Sequence, residues 1–290
     1  MAQLQFAQQF RIGKQILAAL SNQDYQLEPG QPVLCLHGWL DNAASFIPLA
    51  QHLPQQPLLA LEFPGHGHSG HRSADAHYYF FDWVQDLVAL CRQQQWQQLS
   101  IIGHSMGAMV ATALAAAFPE LVAKLVLIDS LGFVTDDAAN AAKQLRDGIN
   151  SRLKAPSRKP YYASVADAAA ARQKQSDFSL TEAMLLAERG TITAAPGVST
   201  TEQGVSWRAD MRLRHSSVYR LSAEQAKSLI SAVQCPVLGL IANDSPFASR
   251  AEQFARHYRQ LHLTEVSGGH HCHMTQAAVV AQHIQRFLAA

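Results

Sequence analysis

The sequence predicts an α/β fold with eight strands, mostly parallel, and helices packed on both faces of the sheet. Three observations carry this. Short, mostly apolar runs recur along the chain, at 32–36, 58–63, 99–102, 125–128 and 236–241, which is how strands covered on both faces read. Helix-forming stretches separate them at the pitch of strand–helix–strand units. The third observation is the stretch Ile101-Ile102-Gly103-His104-Ser105-Met106-Gly107-Ala108-Met109, a Gly-x-Ser-x-Gly between an apolar run and an Ala-rich helical run to Phe118. Strand, sharp turn and helix follow one another there. Ser105 sits at the tip, and the small residues beside it let the two backbones approach closely. Taken alone, the pentapeptide reads equally as a Gly-rich turn around a buried serine.

In order, residues 4 to 20 read as a two-stranded antiparallel start. Pro32-Val33-Leu34-Cys35-Leu36 is the first buried strand and ends in His37-Gly38-Trp39-Leu40-Asp41-Asn42. A helical stretch follows, with Asn42 as its cap. Leu58 to Phe63 is the next strand, ending in Pro64-Gly65-His66-Gly67-His68-Ser69-Gly70, and an amphipathic helix from Tyr79 to Gln95 leads to the strand before Ser105. Leu125-Val126-Leu127-Ile128 is closed by Asp129-Ser130. A strand from Pro236 to Ile241, a helix around 247–259, a strand from Leu261 to Val266 and a terminal helix over 275–288 complete the alternation.

Between Gly132 and Leu221 the alternation breaks. No strand is expected there; Ala-rich helical pieces (136–149, 164–175, 180–189) are separated by stretches such as Ala155-Pro156-Ser157 and Ala195-Pro196-Gly197. An insertion of roughly 90 residues is too long for an ordinary connection. The expected organisation is a core of residues 1–131 and 222–290, with a helical cap over 132–221 placed after the sixth strand.

Composition narrows the class of partner. The 290 residues are 48% hydrophobic and 16% charged, as in an ordinary globular protein with a sizeable core. A formal net charge of +1 gives no electrostatic reason to expect a nucleic acid or a membrane surface. The four cysteines (Cys35, Cys91, Cys235, Cys272) show no CxxC spacing, and Cys35 and Cys235 sit in or beside apolar runs as small hydrophobes. Residues 1–14 have no apolar signal region, and no run reaches transmembrane length. A reducing cytoplasm without disulfides is the expectation.

Several motifs carry chemistry. His37-Gly38-Trp39 lies at the C-terminal end of a buried strand, the edge where open parallel sheets place their sites. Backbone N–H groups of Trp39 and Met106 are candidate donors to a developing oxyanion. Gly65-His66-Gly67-His68-Ser69-Gly70 formally matches G-x-G-x-x-G, but a polar loop follows it, and Asp82 and Asp86 fall inside a helix. A dinucleotide site needs a helix opened by the glycines and an acid at the next strand's end, so no cofactor is expected.

Gly268-Gly269-His270-His271-Cys272-His273 looks metal-like, yet zinc ligands are spaced at C-x₂₋₄-C or H-x₃₋₅-H. Adjacent loop side chains point apart, so no metal is expected either. A general base for Ser105 belongs on a loop after a late strand; His270 is the first choice and His271 the second. Two carboxylates at strand ends, Asp129 and Asp244, compete to orient that base. Arg152, Lys154, Arg158 and Lys159 form a basic run read as solvated surface of the insertion, and Phe133, Tyr161, Tyr162, Trp207 and Phe247 are candidate pocket aromatics.

Together, His37 to Phe46, Pro64 to Ser69, Gly103 to Gly107 and Gly269-His270 resemble the α/β-hydrolase superfamily, and more narrowly its serine-hydrolase-like (kraken-type) branch. The resemblance covers nearly the whole chain and is weakest over 132–200; Trp207-Arg208-Ala209-Asp210-Met211-Arg212-Leu213 is also similar to a segment leading from cap to core in that branch. It implies Ser105 as nucleophile, His270 as base, and Trp39 and Met106 N–H as the oxyanion hole. Many relatives place the acid three residues beyond a Gly that ends the late strand. Here Ala242 occupies that Gly and Ser245 the acid position, with Asp244 one residue early. Relatives lacking the late acid use a carboxylate that matches Asp129, which is favoured over Asp244. Glu62 stands where aspartate is more usual, a change expected to matter little for chemistry.

The expected activity is therefore that of a cofactor-free serine hydrolase, a monomer or homodimer acting on a small-molecule acyl substrate, an ester of small or medium size. General-base activation and the oxyanion donors would each supply about 10²–10⁴-fold in rate. Thioesters, C–C bonds or perhydrolysis on the same residues are alternatives. Serine at 105 argues against the haloalkane dehalogenase and epoxide hydrolase chemistry of the superfamily, which uses aspartate there. A non-catalytic ligand-binding protein on the same fold is the rival from another class; the retention of both Ser105 and His270 disfavours it.

Overall fold

The computed structural model describes residues 3–25, 30–154, 159–193 and 204–290. The stretches 155–157 and 195–197, and Arg158 of the basic run, lie outside them. The strands are β1 (Phe6–Ile12), β2 (Gln15–Ser21), β3 (Val33–Leu36), β4 (Leu58–Leu61), β5 (Leu99–His104), β6 (Val122–Ile128), β7 (Tyr161–Tyr162), β8 (Thr191–Thr193), β9 (Val205–Trp207), β10 (Val237–Ala242) and β11 (Leu261–Val266). Eight of them form one sheet in the order β1-β2-β4-β3-β5-β6-β10-β11. β1 and β2 form the expected antiparallel hairpin, β2 also pairs antiparallel with β4, and every other pairing is parallel.

The helices are α1 (Ile47–Ala50), α2 (Phe80–Gln94), α3 (Met106–Ala117), α4 (Ala141–Leu153), α5 (Val165–Gln173), α6 (Leu180–Gly190), α7 (Ala223–Ala232), α8 (Ala248–Ala255), α9 (Cys272–Thr275) and α10 (Ala277–Ala289). Asn42 caps the short 3-10 turn before α1, its side chain accepting from the Ala44 N–H. The central strands are mostly apolar in sequence because both faces are covered. Leu34, Leu36, Ile101, Leu125 and Leu127 join the core on one side with α2, α3 and α7. Val33, Cys35, Ile102, Val126 and Ile128 join the core on the other side with α1 and α10. Successive residues of a strand alternate faces, so each run feeds two cores.

The strand order reverses between β3 and β5. β4 lies on one side of β3, whereas β5 lies on the other, and the loops leaving these two strands diverge. That divergence opens a crevice at the C-terminal edge of the sheet, where open α/β sheets place their sites.

From 132 to 221 the chain leaves the sheet after β6, and it rejoins the sheet at β10. The helical pieces appear as α4, α5 and α6, but the expectation of no strand is corrected: β7, β9 and β8 form a small antiparallel sheet. Strands of two or three residues are too short to show either alternation or an apolar run. The segment is tied to the core by ion pairs. Arg189, at the end of α6, makes a two-pronged contact with Glu62 (Nε to Oε1 2.7 Å, Nη2 to Oε2 3.0 Å). Glu62 is fully buried and also accepts from the N–H groups of Ala43 and His68. The longer carboxylate at 62 thus serves as an anchor. Arg189→Ala strands that carboxylate in the core, and urea denaturation is expected to show a loss of about 3–5 kcal/mol; a change below about 1 kcal/mol would refute the assignment.

Candidate active site

Strand registers assemble the site. Leu36 of β3 pairs with Gly103 of β5, and His104 pairs with Ile128 of β6, so the residues following these strands lie side by side. Ser105 is the first of them. Its backbone is at φ 51°, ψ −115°, a left-handed conformation costly for a residue with a Cβ, by about 1–3 kcal/mol. The Ser105 N–H donates to the Ile128 carbonyl at 3.0 Å, and the Ser105 carbonyl accepts from Ala108 and Met109 as α3 begins. Gly107 is required by the packing: a Cβ there would stand 2.1 Å from the Leu36 carbonyl oxygen. Helix α3 can start directly over the end of β3 only with that position bare.

The loop after β3 is fixed by a buried histidine. His37 Nδ1–H donates to the Gly38 carbonyl at 2.7 Å, and its Nε2 accepts from the Phe63 N–H at 3.1 Å. Burial holds the ring below the usual histidine range, in keeping with this neutral tautomer. The Asp41 N–H closes the turn on the same Gly38 carbonyl at 3.2 Å. Trp39 rises from the turn with its indole nearly half exposed, its Nε1–H donating to the Leu213 carbonyl at 3.2 Å.

Asp129 follows β6, with its N–H on the Leu240 carbonyl at 2.8 Å and its side chain fully buried. Three donors converge on its carboxylate. The Ala242 N–H reaches Oδ1 at 3.1 Å, while the Ser245 hydroxyl at 2.5 Å and the His270 Nδ1–H at 2.6 Å both reach Oδ2. His270 Nε2 then accepts from the Ser105 hydroxyl at 2.9 Å. A serine hydroxyl, an imidazole and a carboxylate from three separate loops thus form one hydrogen-bonded chain. Asp244 is not brought to the imidazole; it is exposed, and its N–H donates to the Gly268 carbonyl at 3.1 Å.

The four residues His270 to His273 face different partners. His271 bonds Asp177, and Cys272 is buried, where desolvation pushes its thiol up to about 12. His273 is enclosed against the Phe46 and His104 rings, its pKa pushed down to about 3 by burial and by neighbouring His271. Of the candidate pocket aromatics, Phe247 packs on His270 with ring centroids 4.7 Å apart. Phe133 is buried against Phe80, and Tyr161, Tyr162 and Trp207 belong to the small sheet. In the basic run Lys154 is exposed, Arg152 stacks on Tyr79, and Lys159 donates to the Trp207 and Arg208 carbonyls. The stretch from Gly65 to Ala76 is clamped by the segment leading back to the core: the Asp210 N–H donates to the Gly65 carbonyl, and Arg212 donates to the carbonyls of Arg72, Ser73 and Ala76.

Sequence reasoning missed His104. It is fully buried beside the serine, and its Nε2–H donates to the His270 carbonyl at 2.8 Å. Burial, with the neighbouring histidines, holds it well below the usual range, so it is a neutral brace for the loop bearing His270. A histidine at the end of a strand whose preceding residues Ile101 and Ile102 are buried and apolar is the signal that points to it.

The model of the alpha/beta hydrolase fold family matches residues 31–277. A serine hydrolase-like protein of Danio rerio is 32% identical over 273 residues, covering 89% of this chain and 82% of that protein. A solved hypothetical protein of Pseudomonas aeruginosa PAO1 is 34% identical with a TM-score of 0.87, covering 98% of this chain and 99% of that one. A solved thioesterase domain from the curacin biosynthetic pathway is 25% identical with a TM-score of 0.81, covering 97% and 99%. The sheet order, the serine on its strained turn and these likenesses agree: the chain belongs to the α/β-hydrolase fold superfamily, in its serine-hydrolase-like branch.

Proposed function

We propose that this protein is a serine hydrolase that cleaves small or medium carboxylic esters through an acyl-enzyme on Ser105. The observation that carries the reading is the continuous chain from Ser105 Oγ through His270 to the buried Asp129 carboxylate. Ser105 Oγ attacks the carbonyl carbon while its proton passes to His270 Nε2. Asp129 keeps the proton of the resting imidazole on Nδ1 and faces the imidazolium that forms. The N–H groups of Trp39 and Met106 receive the oxyanion. His270 returns the proton to the leaving alkoxide, and water repeats the sequence on the acyl-enzyme. Ser105 and His270 are only partly covered, so a substrate can reach them, and the 132–221 segment serves as the lid that sets its shape. Among the described residues no helix is long and apolar enough to cross a membrane.

A fluorophosphonate probe is expected to label the native protein once, at Ser105. Unlabelled native protein would remove the hydrolase reading in favour of a ligand-binding role. A chain-length panel of p-nitrophenyl esters, run beside CoA thioesters, then assigns the leaving group. The likeness to the curacin thioesterase domain makes thioester cleavage the second reading; it prevails if kcat/KM for thioesters exceeds that for esters of matched acyl length.

A further inference from the structure

His271 has no part in the proposed reaction, yet it is bonded as heavily as its neighbour. Its Nδ1–H donates to Asp177 Oδ1 at 2.5 Å, and its backbone N–H donates to Asp177 Oδ2 at 2.9 Å. Its Nε2 faces Asp41 Oδ2 at 3.5 Å. The other oxygen of Asp41 accepts from Arg172 Nη2 at 2.8 Å. Both Asp41 and His271 are buried. Gly269 is bare for this contact: a Cβ there would stand 2.3 Å from Asp177 Oδ2. Three parts of the chain meet on one imidazole. Asp41 closes the turn that presents the Trp39 N–H, His271 adjoins His270, and Arg172 and Asp177 belong to the 132–221 segment.

We propose that the His271 imidazolium is a positioning residue that pins the 132–221 segment to the two loops carrying the Trp39 N–H and His270, and that Ser105 reacts at full rate only while this pin is charged. The inference rests on the hydrolase reading. With His271 protonated, two carboxylates are matched by two cations. Burial disfavours the charge on His271, but its bonds to Asp177 and Asp41 outweigh burial and push its pKa up to about 9. Burial likewise works against the carboxylates, and again the partners override it: Asp177 is lowered to about 2 and Asp41 lies well below its usual range.

The other groups facing the ring are Phe178, edge-on at 4.7 Å, and the rings of His104, His270 and His273. His104 and His273 are neutral at physiological pH, for the reasons given above. An unfolded histidine titrates near 6.5, so the stabilisation from the pin is complete below that pH and is lost as the pH rises through about 9. Losing the Nε2 proton then leaves a lone pair facing the buried Asp41 carboxylate, and the four-residue set carries one unmatched negative charge.

Two readouts on the full-length protein test this. The rate of fluorophosphonate labelling at Ser105, followed from about pH 6 to about pH 11, is expected to fall about tenfold per pH unit above 9. Hydrogen exchange over residues 165–190, corrected for base catalysis, is expected to rise at the same midpoint. Asp177→Asn keeps an acceptor but removes the charge, and is expected to lower both midpoints by about one pH unit or more. Unmoved midpoints in this variant, or exchange that stays flat in the native protein, would overturn the pin. Native protein that never labels, even at neutral pH, defeats the hydrolase reading instead; exchange over 165–190 still decides whether His271 holds the segment.

Discussion

Ser105→Ala is expected to lower kcat on a p-nitrophenyl ester by about 10⁶-fold while leaving thermal stability nearly unchanged. The two halves of this expectation come from different atoms. The hydroxyl is the proposed nucleophile, and its structural bond is the one to His270 Nε2. What holds the turn is backbone: the N–H on Ile128 and the carbonyl beneath Ala108 and Met109. Alanine keeps those bonds and bears the same strain at φ 51°. The Trp39 and Met106 N–H groups also survive, so a residual acceleration of about 10³–10⁴ over water should persist. A double variant, Ser105→Ala with His270→Ala, should lose little more than Ser105→Ala alone, because the two side chains act as a unit. Activity within about tenfold of native in Ser105→Ala would place the reaction elsewhere on the molecule.

The parts of this molecule that sequence reveals are those governed by neighbours in the chain. The runs at 33–36 and 125–128 declare buried strands because both faces of each strand meet apolar cores. Gly103 to Gly107 declares the tight turn because close approach of strand and helix leaves no room for a side chain at 107. The position of each candidate site residue in a loop after a strand is legible for the same reason. What stayed hidden depends on register across the sheet. Asp129 meets His270 only because β10 lies between β6 and β11 and brings the Ala242 N–H and Ser245 hydroxyl to the same carboxylate. The pairs Arg189–Glu62, Arg172–Asp41 and Asp177–His271 join residues far apart in the chain, and no local period encodes them. Glu62 illustrates the point: as a sequence departure it looks minor, and in the fold it anchors the inserted segment.

Asp129→Asn is expected to reduce kcat by about 10⁴-fold, whereas Asp244→Asn should stay within about twofold of native. Asparagine tolerates the φ of 51° that Asp129 adopts, so the backbone has no reason to move. The loss comes from the proton inventory. If the amide nitrogen takes the place of Oδ2, its N–H faces the His270 Nδ1–H, and the ring must shift its proton to Nε2, where it can no longer accept from Ser105. If the amide turns over, its nitrogen faces the Ala242 N–H, a buried donor left without an acceptor. Ser245 tips the choice toward the first arrangement, because its hydroxyl can turn to accept from an amide N–H while Oγ still receives the Phe247 N–H at 3.0 Å. Asp244 meets none of these groups; it is exposed beyond the end of β10. The kcat of each variant, taken on the neutral-pH plateau with a short-chain p-nitrophenyl ester, decides between the two carboxylates. A larger loss for Asp244→Asn would mean that the loop after β10 rearranges during the reaction to bring the exposed acid onto His270.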